Sequence, residues 1–176
     1  MKIDLSRVEQ EPLGFREAIE LDPERLDCEQ VAATMTVHLE GKVRTQGQVF
    51  QVSGRCVASG PLVCSRCLEP VPWSLEEPFT VAYRPATVAP TEDELGLEEE
   101  DLDVVFLEET RLDLAELAVE QVLLALPMRV LCDDNCAGLC PRCGANRNHD
   151  GACRCEPEVD PRWQALDGLA DGDLKS

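Results

Sequence analysis

The chain has 176 residues, of which 16 are Lys or Arg and 35 are Asp or Glu, leaving a net charge of −19 at neutral pH. A field of that sign argues against a generic nucleic-acid binder or an anionic-membrane binder. Apolar residues make up 44% of the chain, enough for a core, so it is not a disordered acidic tail.

No stretch of about 18 apolar residues occurs, and Met1–Arg7 lacks an apolar run followed by a small-residue cleavage site. The expectation is a soluble, cytoplasmic protein. The fold class expected is α+β: an antiparallel β-rich domain packed by one amphipathic helix, with a small C-terminal Cys-rich zinc module. The boundaries are 1–130 for the β-rich domain, 131–166 for the zinc module and 167–176 for a tail.

The first strand signals are Thr34, Thr36 and His38 alternating with Met35, Val37 and Leu39. Val49, Val52, Val57, Leu62 and Val63 follow the Thr45–Gln48 turn, and an antiparallel meander is the economical reading. Gly54 and Gly60-Pro61 are expected to mark bulges or strand breaks, Pro70 and Pro72 a turn, and Trp73 to Tyr83 a further strand. Val104–Leu107 can return to the same sheet.

An acidic loop is expected over 89–110. Residues 89–120 alone carry a net charge of −12, concentrated in runs such as Glu98-Glu99-Glu100-Asp101. Such a run is either a solvated, self-repelling loop or a docking surface for a basic partner, with Glu98, Glu99, Glu100 and Asp101 as candidate contacts.

The strongest helix signal covers 113–126 and stops at Pro127. Asp113 and Glu116 fit a capping box, and Leu114, Leu117, Val122 and Leu124 give an apolar side to cover the sheet.

Ten cysteines in a cytosolic chain point to metal or thiol chemistry. Cys140-Pro141-Arg142-Cys143-Gly144 has the form of a zinc knuckle, in which two thiolates straddle a tight turn. Cys153 and Cys155, two apart, can face one ion from an extended segment. These four are the first choice for a structural Zn2+ site. Cys132 and Cys136, one helical turn apart, compete for the same places. Reduced thiols or an iron–sulfur cluster are the alternatives. A catalytic zinc would ordinarily keep a coordination position for water and use His or carboxylate ligands, whereas thiolates here can close the site.

Cys64-Ser65-Arg66-Cys67 is a separate C-x-x-C. A thioredoxin-like pair should open a helix after a strand, but this one precedes Pro-rich turn residues. It can be structural, or half of a second metal site completed by Cys28, Cys56 or a partner chain.

The string Cys64-x-Arg66-Cys67-Leu68-Glu69-Pro70, the helix end Leu123–Met128, the run from Cys132 to Asn146 and Asp160-Pro161-Arg162 together resemble the bacterial YceD-like family, the large ribosomal RNA subunit accumulation proteins. The resemblance covers most of residues 30–166. It implies a β-rich domain with a helix and a role in accumulating large-subunit rRNA. The family is commonly encoded beside a small basic large-subunit ribosomal protein, and its members vary in the C-terminal cysteine cluster. No catalytic residue is carried over.

The expected function is therefore that of a non-enzymatic ribosome-assembly factor that binds a basic ribosomal protein or rRNA, without a membrane or small-molecule partner. Arg142, Arg147 and Arg154 near the zinc module are the candidate RNA contacts, or else neutralise clustered thiolates and nearby acids. The competing readings are a zinc-stabilised interaction module unrelated to ribosomes and a thiol-redox enzyme using Cys64 and Cys67.

Overall fold

The computed structural model describes residues 2–8, 11–86, 104–149, 153–155 and 162. Glu98, Glu99, Glu100 and Asp101, the Asp160-Pro161 pair and the 167–176 tail lie outside the described residues.

The elements in chain order are β1 (Lys2–Asp4), a 3-10 turn (Leu5–Arg7), β2 (Leu13–Leu21), α1 (Pro23–Leu26), β3 (Met35–Gln46), β4 (Val49–Val63), β5 (Pro70–Pro85), β6 (Val104–Leu107), β7 (Arg111–Asp113) and α2 (Leu114–Ala125). Strands β2 to β6 form one sheet in sequential order, and β1 pairs with β7 in a small ribbon. All neighbours in the main sheet are antiparallel except β5 and β6, which run parallel. The fold is thus β-rich with one main helix, and β6 is the departure from a pure antiparallel meander.

Alternation explains the sheet. Met35, Val37, Leu39 and Val43 on β3 share a buried face with Val52, Cys56, Ala58 and Leu62 on β4, and with Leu75, Phe79 and Tyr83 on β5. The β3–β4 turn is tight because Gly47 takes a left-handed φ of 63°.

The expected break at Gly54 does not occur. Gly41 stands opposite Gly54, with Phe15 opposite the first and Phe79 opposite the second, so the ladder runs through all four strands. A Cβ on Gly54 would lie 2.2 Å from the Glu40 carbonyl, and one on Gly41 would lie 2.9 Å from the Phe15 ring. The two phenyl rings fill the space that the glycines leave, so strands of 12, 15 and 16 residues continue without interruption. Gly60 and Pro61 likewise lie within β4, paired with Trp73 and Pro72. The expected turn at Pro70 and Pro72 is instead the start of β5, and the reversal is made earlier by Cys64–Glu69.

Helix α2 begins where the Asp113 carboxylate accepts from the Ala115 N–H at 2.9 Å. Its buried side consists of Leu114, Ala115, Leu117, Ala118 and Val122. Leu124 was expected on that side and is 82% exposed. It lies two residues past Val122, about 160° round the helix from it, so it cannot face the sheet with Val122.

Candidate metal centres

Ten cysteines resolve into two groups of four, plus Cys28 and Cys56, which pack in or against the main core. One group is Cys64, Cys67, Cys132 and Cys136; the other is Cys140, Cys143, Cys153 and Cys155. Within each group all four sulfurs lie within 4.8 Å of one another.

The first group joins two distant stretches. Cys64 and Cys67 sit on the β4–β5 turn, closed by the Cys64 N–H to the Glu69 carbonyl at 2.9 Å and the Leu68 N–H to the Cys64 carbonyl at 2.9 Å. The chain leaving α2 lies against this turn: the Ser65 N–H donates to the Val130 carbonyl at 2.8 Å, and the Val130 N–H donates to Ser65 Oγ at 3.3 Å. That alignment delivers Cys132 and Cys136. The Cys67 and Cys132 sulfurs are 3.5 Å apart, and those of Cys64 and Cys136 are 3.9 Å apart.

Arg66, between the two turn cysteines, fastens the incoming segment. Its Nη1 donates to the Asp134 carbonyl at 3.2 Å and the Cys136 carbonyl at 2.8 Å, while its own carbonyl accepts from Leu139 N–H at 3.0 Å. Gly138, at φ 70°, makes room for it, since a Cβ there would sit 3.0 Å from the Arg66 carbonyl. Asn148 Nδ2 reaches the Cys136 sulfur at 3.2 Å.

The second group repeats the knuckle. The Cys140 N–H donates to the Ala145 carbonyl at 2.8 Å, the Gly144 N–H returns to the Cys140 carbonyl at 2.9 Å, and Gly144 takes φ 73°. The two groups are tied through Glu69, whose carboxylate accepts from Asn146 Nδ2 at 3.0 Å and lies 3.2 Å from His149 Nε2.

Burial would raise the Cys64 thiol, but backbone N–H groups of Cys67, Arg66 and Cys132 at its sulfur outweigh it and bring it down to about 6. N–H groups of Cys143 and Arg142, helped by the Cys153 thiol, bring Cys140 to about 6 as well. Cys132 and Cys155 are pushed up to about 12, chiefly by the neighbouring thiols Cys67 and Cys143 respectively. Each group therefore offers preformed anionic sulfur, while its last thiols resist ionising until positive charge arrives.

A dication would supply that charge. Four thiolates at about 2.3 Å from one zinc-sized ion stand roughly 3.8 Å apart, close to the 3.5 and 3.9 Å sulfur separations of the first group and within the 4.8 Å span of both. A cluster of several irons must fit between its ligands and needs the sulfurs farther apart. Both groups could hold a single metal ion.

The four cysteines chosen from the knuckle spacing lie together. Cys132 and Cys136, read as competitors for that ion, lie instead with Cys64 and Cys67. Neither Cys28 nor Cys56 completes the Cys64/Cys67 half-site. The signal available in the sequence was numerical: once the C-terminal four are set aside, two half-sites of two cysteines remain. Arg142, Arg147 and Arg154 are all exposed beside the second group.

No described helix is long and apolar enough to cross a membrane. No solved structure matches the chain. An uncharacterised protein of Mycobacterium bovis is 29% identical over 174 residues, covering 94% of this chain and 79% of that one. The Bacillus subtilis protein YlbN is 26% identical over 175 residues, covering 98% and 96%. A Zea mays protein named large ribosomal RNA subunit accumulation protein YCED homolog 1, chloroplastic, is 26% identical over 126 residues, covering 54% of this chain and 40% of its own length. The profile of the family described as large ribosomal RNA subunit accumulation protein YceD matches residues 52–170, a span that contains both four-cysteine groups, and the chain belongs to that family.

Proposed function

We propose that this chain is a cytoplasmic ribosome-assembly factor that supports accumulation of large-subunit rRNA by binding, not by catalysis. Family membership over residues 52–170 is the observation that carries the reading. Each four-cysteine group holds one structural Zn2+: four thiolates close a tetrahedral shell and leave no position for a reacting water. Cys64 and Cys67 lie on a strand-to-strand turn and share their sulfurs with Cys136 and Cys132, which supports a ligand role over redox exchange.

The partner is a basic large-subunit ribosomal protein. A chain of charge −19 attracts a Lys/Arg-rich protein and speeds its association, while repelling phosphate at long range. Glu98, Glu99, Glu100 and Asp101 are the contacts assigned to it. Direct rRNA contact through Arg142, Arg147 and Arg154 is the second reading, favoured by their exposure in the segment that carries the second four-cysteine group.

Depletion of the protein, followed by sedimentation of ribosomal particles, tests the role. A fall in large-subunit rRNA relative to small-subunit rRNA, with the tagged protein recovered on large-subunit precursors, supports it. Normal rRNA ratios and no association with particles would return the chain to a zinc-stabilised interaction module without a ribosomal task.

A further inference from the structure

The two knuckles can be compared position by position. In each, the residue after the second cysteine returns its N–H to the first cysteine's carbonyl at 2.9 Å. In each, that residue is left-handed, with φ 62° at Leu68 and 73° at Gly144. Glycine adopts this conformation without steric cost, whereas Cβ makes it unfavourable for leucine.

Burial does not compensate Leu68: the residue is 62% exposed, and it is not among the buried residues of the small core of Cys64, Cys67 and Cys136 at the same turn. Neither the left-handed backbone nor the buried core of the described residues accounts for a leucine here, and a strained residue without such a role points to an external one.

Other apolar side chains stand in water along the chain that runs from α2 onto this turn. Leu124 is 82% exposed and Met128 is 99% exposed, and the Ser65–Val130 hydrogen bonds lay the segment after Met128 against the knuckle. The solvent side of α2 adds Glu116 and Glu120, and the helix contains no cationic residue. Burial first, and the Glu116 charge second, raise the Glu120 carboxyl, and an incoming cation would relieve the second of these.

We infer that Leu68, Leu124 and Met128 are the apolar anchors of a docking surface, and that its occupant is a segment of the basic ribosomal partner carrying an apolar side chain flanked by Lys or Arg. The inference rests on the proposed function and names the surface that performs it. Apolar anchors supply residence time, and the glutamates select the charge of the flanking residues.

The test uses the full-length, zinc-loaded protein, immobilised, with the protein fraction extracted from large ribosomal subunits as the probe. Leu68→Gly and Leu68→Asn both suit a left-handed backbone, so each is expected to keep its metal and melt no lower than the wild type. Dissociation of the captured protein should quicken by about tenfold. Leu124→Asp and Met128→Asp should weaken capture in the same way without lowering the melting temperature. Unchanged dissociation in all four variants overturns the inference, as does loss of metal or a lower melting temperature in both Leu68 variants, which would make the leucine structural. Failure of the wild type to capture any large-subunit protein would overturn the protein-partner reading, and this surface with it, and would leave the ribosomal role to direct rRNA contact.

Discussion

Cys64 and Cys136 are separated by 72 positions, and their sulfurs lie 3.9 Å apart. A metal at this point would tie the β4–β5 turn to the chain leaving α2, so that binding energy at one ion would become tertiary stability. The second knuckle leans on the first through Glu69 and through the Leu139 N–H bond to the Arg66 carbonyl. Dependence between the sites should therefore be one-sided. Cys136→Ser should release the first metal and leave the second knuckle open to limited proteolysis, whereas Cys140→Ser should release only the second metal and leave the first site and sheet intact. Metal content and proteolytic fragments of the two variants check this; equal damage from both would show that the knuckles are not stacked in that order.

Arg66 holds the first site from behind, through the Asp134 and Cys136 carbonyls. Partners that orient metal ligands without touching the metal commonly contribute 10–100-fold in affinity. Arg66→Ala is expected to lower zinc affinity at the first site by about that range, with the melting of the sheet little changed. Competition with a chromogenic chelator reads the effect.

A methyl group at Gly54 would collide with the Glu40 carbonyl and the Gly41 backbone, which cannot retreat as a flexible side chain would. Gly54→Ala should destabilise the protein by about 2–3 kcal/mol, and Gly41→Ala similarly, measured by denaturant unfolding. Gly47, whose Cβ would meet nothing within 4 Å, is left-handed, so alanine there acts only through φ and should cost less.

The glycine pair shows why part of this fold was not legible beforehand. Gly54 reads as a break when β4 is considered alone, and only the Phe15–Gly41–Gly54–Phe79 row across four strands makes it an ordinary strand position. Strand β2 was visible in principle, since Leu13, Phe15, Ile19 and Leu21 fall on one parity, but Glu17 interrupts the run. Helix α2 and its Asp113 cap were read from local chemistry, and the cap bond is present. The Cys140/Cys143/Cys153/Cys155 group was legible because a knuckle and two nearby thiols are local. The Cys64/Cys67/Cys132/Cys136 group was not, because its halves meet only once the sheet turn and the segment after α2 have docked.

Charge governs the next expectation. Reversing Glu98, Glu99, Glu100 and Asp101 to lysine should slow association with a basic large-subunit ribosomal protein and flatten its salt dependence, with stability of the isolated protein barely changed. Stopped-flow mixing at low and moderate salt measures this. Unchanged low-salt kinetics would return the run to a solvated loop.

RNA should behave differently from protein. Binding to arbitrary single strands is expected to be weak at physiological salt, and replacing Arg142, Arg147 and Arg154 together should remove specific rRNA binding. A handful of phosphate contacts gives a salt slope of roughly −0.7 per contact on single strands. Tight, steeply salt-dependent binding to random RNA would move the assignment from protein partner to RNA.

Elemental analysis of the chain, purified under reducing conditions without chelators, tests the central claim most directly. Two zinc ions per chain and no iron chromophore are expected, falling to one in Cys140→Ser. A single equivalent in the wild type, a polynuclear iron cluster, or less than about half an equivalent of any metal would contradict the assignment of two tetrathiolate centres.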